Sequence, residues 1–187
     1  ETAKKALQGG FTVAVIAPEE EYLGGRAALL TLSGKARRNA LLRGKATFQA
    51  SFKSTGEGYP NSGMGVMAHL RQTFLDAAHH AHAWESWTPG HRRPAVDPAL
   101  EALQPALRGE ALIFFEAQTD REILRALDLS KEFGFKLGLT GAREAHRAAP
   151  LLADIPVILS LKLPKEVEGE SEALKRERNR LRDLELD

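Results

Sequence analysis

Apolar residues recur along this chain with two periods, and each predicts an element. Residues 3–8 read as a helix, ended by Gly9-Gly10 in the manner of a glycine C-cap. Residues 11–17, FTVAVIA, form a short β-branched run that predicts a buried strand, stopped by Pro18. The stretch 19–45 carries no clear period. Within it, Gly24-Gly25 predicts a tight loop and residues 27–32 a short strand. Residues 46–52 alternate in part and predict another strand. Residues 54–63, rich in glycine, serine and proline, predict a loop. Val66, Leu70, Phe74, Ala77 and Ala81 then fall at spacings of three and four. That spacing predicts a helix over 65–87 with one apolar face. Thr88-Pro89-Gly90 ends it, and residues 91–94 make a basic loop. Asp97 as N-cap, with Pro98 at the first helical position, opens a helix to about Leu107.

Residues 111–161 are the most regular. Residues 111–116 are an apolar strand, and Thr119 to Glu122 has the form of a capping box. The helix it opens turns Ile123, Leu124, Leu127 and Phe133 to a core, and Gly134 ends it. Residues 136–140 predict a strand, 143–152 a helix and 155–161 a strand. This βαβαβ order implies parallel strands joined by right-handed crossovers. Apolar strands covered by helices suit either a barrel or a doubly wound sheet. From Pro164 the composition shifts. Residues 164–187 predict a charged helical or mobile tail, and residues 1–163 the α/β unit. No repeat of solenoid period is present.

Composition narrows the classes. The 187 residues are 43% hydrophobic and 27% charged, as in a soluble globular domain with one sizeable core. The net charge of +1 gives no strong pull toward nucleic acid or a membrane, so neither is expected as a partner. With no cysteine there is no disulfide, thiolate metal site or cysteine nucleophile. That fits a reducing compartment and favours the cytoplasm. No apolar run approaches the roughly 20 residues that span a bilayer. No signal peptide is visible, but the chain opens at Glu1 without methionine and already helix-like. It reads as a piece of a longer polypeptide whose true N-terminus is absent.

Function in parallel α/β proteins gathers at the C-terminal ends of strands. The candidates there are Glu116 and Gln118, Thr140, Ser160 and Lys162, with Glu19, Glu20, Tyr22 and Arg26 after the first strand. Glu116 is a candidate metal ligand or general base. As one carboxylate without a histidine partner it reads better as a polar strand end. Thr140 either orients a ligand or, the plainer reading, satisfies backbone donors of a helix starting at Gly141. Gly24-Gly25-Arg26 is a weak candidate anion loop, with a simple turn as the better reading. His79, His80 and His82 lie close in sequence but spread around a helix, about 100° per residue. Asp76 and His80 have the i, i+4 spacing of a helical metal pair, Glu85 lies nearby, and two ligands do not make a site. His69 and His146 are isolated. Arg176, Arg178, Arg180 and Arg182 are interleaved with Glu177, Asp183 and Glu185, a solvated helix rather than a nucleic-acid patch. No dinucleotide fingerprint, phosphate loop or nucleophile elbow occurs.

Six segments carry a family likeness in their order: GGFTVAVIAP (9–18), GGRAAL (24–29), YPNSGMGVMA (59–68), LRQTFLDA (70–77), EAQTDREI (116–123) and LTGAREA (139–145). Together, over most of residues 1–163, they resemble imidazolonepropionase-like members of the amidohydrolase superfamily. The resemblance implies a parallel (β/α) barrel of TIM type, incomplete in this chain. It also implies hydrolysis of C–N bonds in amides or cyclic amides by water activated on one or two divalent metals such as zinc. In active relatives a histidine pair lies on the first barrel strand, further histidines end two later strands, and an aspartate comes from the last. By this match Glu116 and Thr140 stand where the two later histidines would be. The first-strand pair and the aspartate would lie outside the chain. A threonine hydroxyl is a poor metal ligand, so no metal is expected on this segment.

Three expectations follow. One is an amidohydrolase-like domain, possessing or having lost activity on non-peptide C–N bonds. The second is a pseudo-enzyme barrel that binds a small molecule or supports a partner, with a metal-free pocket at Glu116, Gln118 and Thr140; across these readings the expected substrate-binding residues are Arg26, Glu116, Gln118 and Thr140. The third, an unrelated flavodoxin-like doubly wound domain, predicts an open sheet rather than a curved one. Roughly five of eight barrel strands leave two open sheet edges. The segment is therefore expected to pair with a second copy or with the remainder of a longer barrel.

Overall fold

The structure is a computed structural model of the chain. It describes residues 2–18, 22–34, 37–54 and 58–160, together with Arg176 and Asn179. Most of the predicted tail at 164–187, and the candidates Glu19, Glu20 and Lys162, lie outside the described residues. After helix α1 (Thr2–Gln8) come strands β1 (Val13–Ile16) and β2 (Leu23–Thr31), the single turn α2 (Arg37–Ala40) and strand β3 (Leu41–Ser51). Two helices follow, α3 (Gly63–Glu85) and α4 (Pro98–Leu107). The remainder is β4 (Leu112–Ala117), α5 (Asp120–Phe133), β5 (Lys136–Gly141), a 3-10 helix (Ala145–Leu151) and β6 (Val157–Leu159).

The six strands form one sheet in sequence order. β3, β4, β5 and β6 are parallel, which bears out the βαβαβ reading of 111–161. β1, β2 and β3 pair antiparallel, so the sheet is mixed rather than parallel throughout. A doubly wound sheet reverses strand order at a switch point and carries helices on both faces. Here the order never reverses. α3, α4 and α5 share one core with β3, β4 and β5 on one face of the sheet. The flavodoxin-like expectation is therefore corrected to a barrel-like winding.

Alternation builds this layer. Phe48, Ala50 and Phe52, then Ile113, Phe115 and Ala117, then Leu137 and Leu139, are buried at every second position. They meet Val66, Leu70, Phe74 and Ala77 of α3 and Ile123, Ala126, Leu127 and Leu129 of α5. The predicted face of α3 is thus the buried one, with Ala81 at its half-buried end. In α5, Leu124 is exposed and Ala126 takes the core position expected of it.

The predicted caps form. Asp97 Oδ1 accepts from the N–H groups of Ala99 and Leu100 at 2.9 and 3.2 Å. Thr119 Oγ1 accepts from Glu122 N at 3.3 Å, and Glu122 Oε2 accepts from Thr119 N at 3.1 Å, completing the capping box. Gly134 ends α5 with φ +72°, in the left-handed region where glycine is unstrained.

Four expectations are corrected. The strand read at 11–17 as buried is β1, an edge strand with Val15 and Ile16 exposed. An apolar run alone does not report which face is covered. Gly24-Gly25 lies inside β2 rather than in a tight loop, and the register shift between Leu23 and Gly25 marks an irregularity there, Gly25 taking φ +83°. The helix read at 143–152 is a 3-10 helix over Ala145–Leu151. Its N-cap residue makes no side-chain capping bond, and it contains Pro150, which lacks the N–H a regular helix needs. The strand read at 155–161 is only Val157–Leu159. Among the described residues, β1 and β6 are the two open edges. No described helix is long and apolar enough to cross a membrane.

Candidate site at the ends of the parallel strands

The second face of the sheet carries the residues between the buried ones. Ser51 of β3 is in register with Glu116 of β4, Glu116 with Thr140 of β5, and Thr140 with Ile158 of β6. Residues in register share a face, so these four form one row across four strands. At about 4.8 Å per strand the row is roughly 14 Å long. Glu116 and Thr140 are each the penultimate residue of their strand, so the row lies at the C-terminal ends, where the sequence reading placed function.

Glu116 Oε2 accepts a hydrogen bond from Lys53 Nζ at 2.8 Å. The two side chains are 38% and 54% exposed, so the pair adds little to stability and mainly sets local charge. Ser51 is 5% exposed, and its Oγ accepts from Lys53 N at 3.3 Å. The Thr140 hydroxyl makes no hydrogen bond among the described residues. Its expected role as a cap for a helix starting at Gly141 is thereby corrected, since no helix starts there. The Gln118 side-chain amide is equally unpartnered and lies against Gly141, where an added Cβ would come within 2.3 Å of Gln118 Nε2.

The loops around this row are tied to one another. Ala142 N donates to Ala117 O at 2.7 Å, Glu144 N to Gln118 O at 3.0 Å and Ser160 N to Gly141 O at 3.0 Å. Glu144 Oε2 accepts from Asp120 N at 3.0 Å. The chain leaves β5 through two residues at positive φ, Gly141 at +83° and Ala142 at +43°. Ala142 is uncommon there, because a side chain in that region crowds its own backbone. These links fix the backbone carrying Gln118 and Thr140.

Arg26 is placed elsewhere. Its register partner on β3 is Phe48, which pairs with Ile113, three residues before the Ser51–Glu116 level. Its guanidinium donates from Nε and Nη2 to Ala102 O and lies 5.4 Å from the Phe48 ring centroid. It fastens α4 to the sheet. Arg26→Ala is expected to cost about 1–3 kcal/mol, since both hydrogen bonds come from a charged group. Arg26→Lys recovers only part, because an ammonium cannot reproduce the fork. Urea unfolding of both variants checks this, and an Arg26→Ala chain as stable as the parent would show the anchor to be idle.

The remaining candidates are spread. Tyr22 Oη and His69 Nε2 are 2.9 Å apart, their rings meeting edge-on at 4.9 Å, which joins the start of β2 to α3. His80 Nε2 lies 3.2 Å from both Ala95 O and Trp84 Nε1, and Asp76 Oδ1 accepts from Gln72, so the Asp76–His80 pair is engaged elsewhere. His146 and Ser160 are exposed. Lys53 and Ser51 were not singled out in the sequence. Pairing the end of the strand at 46–52 with Glu116 would have found them, but register is a tertiary property.

A divalent metal does not fit this donor set. Zinc-like ions take three or four nitrogen, sulfur or carboxylate donors. The row offers one carboxylate, already paired with an ammonium, and two hydroxyls. His69 belongs to the helix layer. Among the described residues no group of three histidine or carboxylate side chains is placed to hold an ion.

No protein-family model and no curated protein sequence matches the chain. The crystal structure of an amidohydrolase from Thermotoga maritima MSB8 superimposes on it with a TM-score of 0.79, at 22% identity. The match covers 89% of this chain and 46% of that one, so the chain spans about half the length of the solved protein. At this identity the likeness establishes architecture alone: the chain has the α/β fold of about half of that protein.

Proposed function

We propose that this chain forms one wall of an amidohydrolase-type barrel and binds a small polar molecule, an amide or cyclic amide, without hydrolysing it. The observation that carries this reading is the strand-end row itself, where Glu116 lies beside the Thr140 hydroxyl and near the Gln118 amide, two partly exposed side chains with no hydrogen-bond partner among the described residues. Both groups are accessible to a ligand, and a ligand amide supplies both a donor and an acceptor. Glu116 then accepts from a ligand N–H, while Thr140 and Gln118 meet its carbonyl side.

The fold likeness favours a second reading, a metal-dependent hydrolase of C–N bonds. Its metal would need ligands beyond those described. Purified protein should bind a cyclic amide such as hydantoin in a calorimetric titration, with Thr140→Val weakening binding about five- to tenfold for one lost hydrogen bond. No turnover is expected with or without added zinc. Zinc-dependent ring opening that is lost in Glu116→Gln would replace this reading with the hydrolase.

A further inference from the structure

At the C-terminal end of α3 the described surface holds a groove of about 440 Å³. It lies roughly 25–30 Å along the helix from its start near the strand ends, at 1.5 Å per residue. His79 and His82 of α3, and Trp87, His91 and Arg92 of the following loop, line it. No carboxylate does.

The loop side of the groove is held locally. His91 N donates to Thr88 O at 3.3 Å, Trp87 Nε1 donates to His91 O at 3.1 Å, and Thr88 Oγ1 lies 3.1 Å from His91 Nδ1. With Nδ1 engaged, His91 keeps Nε2 for an outside partner. The side chains of His79, His82 and Arg92 make no hydrogen bond or ion pair among the described residues. Nearby polar side chains have other hydrogen-bond or ring partners. Asp76 binds Gln72, Asp97 caps α4, Arg93 lies 5.1 Å from the Trp84 ring, and His80 faces Ala95 O. Glu85 is exposed and is not among the lining residues. The groove thus gathers three imidazoles and a guanidinium with no opposing anion in its wall.

We propose that this groove binds a small oligoanion, a molecule carrying two or more phosphate or carboxylate groups. Arg92 supplies a charge-assisted donor, and the imidazole N–H groups beside it are further donors to the oxygens of such a ligand. Among the described residues no three histidine or carboxylate side chains are placed to hold a metal ion, which disfavours a transition metal here.

Both tryptophans of the chain report on the groove, since Trp87 lines it and Trp84 lies 6.4 Å from Trp87. Tryptophan fluorescence, with calorimetry as a readout independent of the indoles, is titrated with tripolyphosphate and with citrate at neutral pH. Saturable binding is expected for at least one of them, weakened by added salt. The double variant His82→Gln/Arg92→Gln, whose side chains are exposed, should keep its circular dichroism spectrum and lose about tenfold or more in affinity. No saturable heat with either probe, or undiminished binding by the double variant, would overturn the proposal.

Discussion

Phe115→Ala is expected to lower the unfolding free energy of the chain by about 3–5 kcal/mol, the largest single-residue effect anticipated in this fold. Phe115 is fully buried on β4, between β3 and β5. Its ring stacks on Phe52 at 5.2 Å and on Phe135 at 6.1 Å. Those neighbours come from segments on either side of β4. The strand backbones around them are hydrogen-bonded in register, so they cannot collapse into the space the ring leaves. Phe115→Leu keeps part of the volume and should lose much less. Urea unfolding measures both, and a Phe115→Ala midpoint equal to that of the parent would refute the packing of this layer.

Gly138→Ala should destabilise by about 1–3 kcal/mol, against the usual gain from replacing a strand glycine. The backbone of Gly138 is not among those at positive φ, so strain is not the cause. Contact is the cause. A Cβ built there lies 2.5 Å from Phe114 Cε1 and 2.6 Å from Cδ1, because the Phe114 ring rests directly over β5. The methyl forces the ring outward, on the face that carries Glu116 two residues along β4. Weaker hydantoin binding is expected to accompany the lost stability. A Gly138→Ala chain that is more stable than the parent, with unchanged binding, would mean that Phe114 does not lie over this glycine.

Much of the framework was legible in the sequence because it depends on short-range geometry. The capping box at Thr119 to Glu122, the Asp97 cap and the Gly134 terminator each need only residues within one helical turn. The apolar face of α3 follows from spacing alone. Residues 19–45 resisted reading for a physical reason. β2 is held by its pairing with β1 and β3, and the irregular register at Gly25 breaks the alternation that would have marked it. The buried reading of residues 11–17 failed because aliphatic strand residues look alike at an edge and in a centre, and coverage is decided by other elements.

The candidate site divides in the same way. Glu116, Gln118 and Thr140 were placed at strand ends from the sequence, and the parallel register of β4 and β5 puts Glu116 beside Thr140. Arg26 was grouped with them by its place in a loop reading. The structure instead draws it to Ala102, 76 residues away in the chain.

The sequence by itself determined the local elements, their caps and the parallel α/β unit of residues 111–159, since hydrophobic period and terminal residues act over a few positions. Only the tertiary structure decided which described strands lie at the edges, that Lys53 pairs with Glu116, and that Thr140 and Gln118 have no hydrogen-bond partner among the described residues. Each depends on strand register or on a contact between segments far apart in the chain, and neither leaves a period in the sequence.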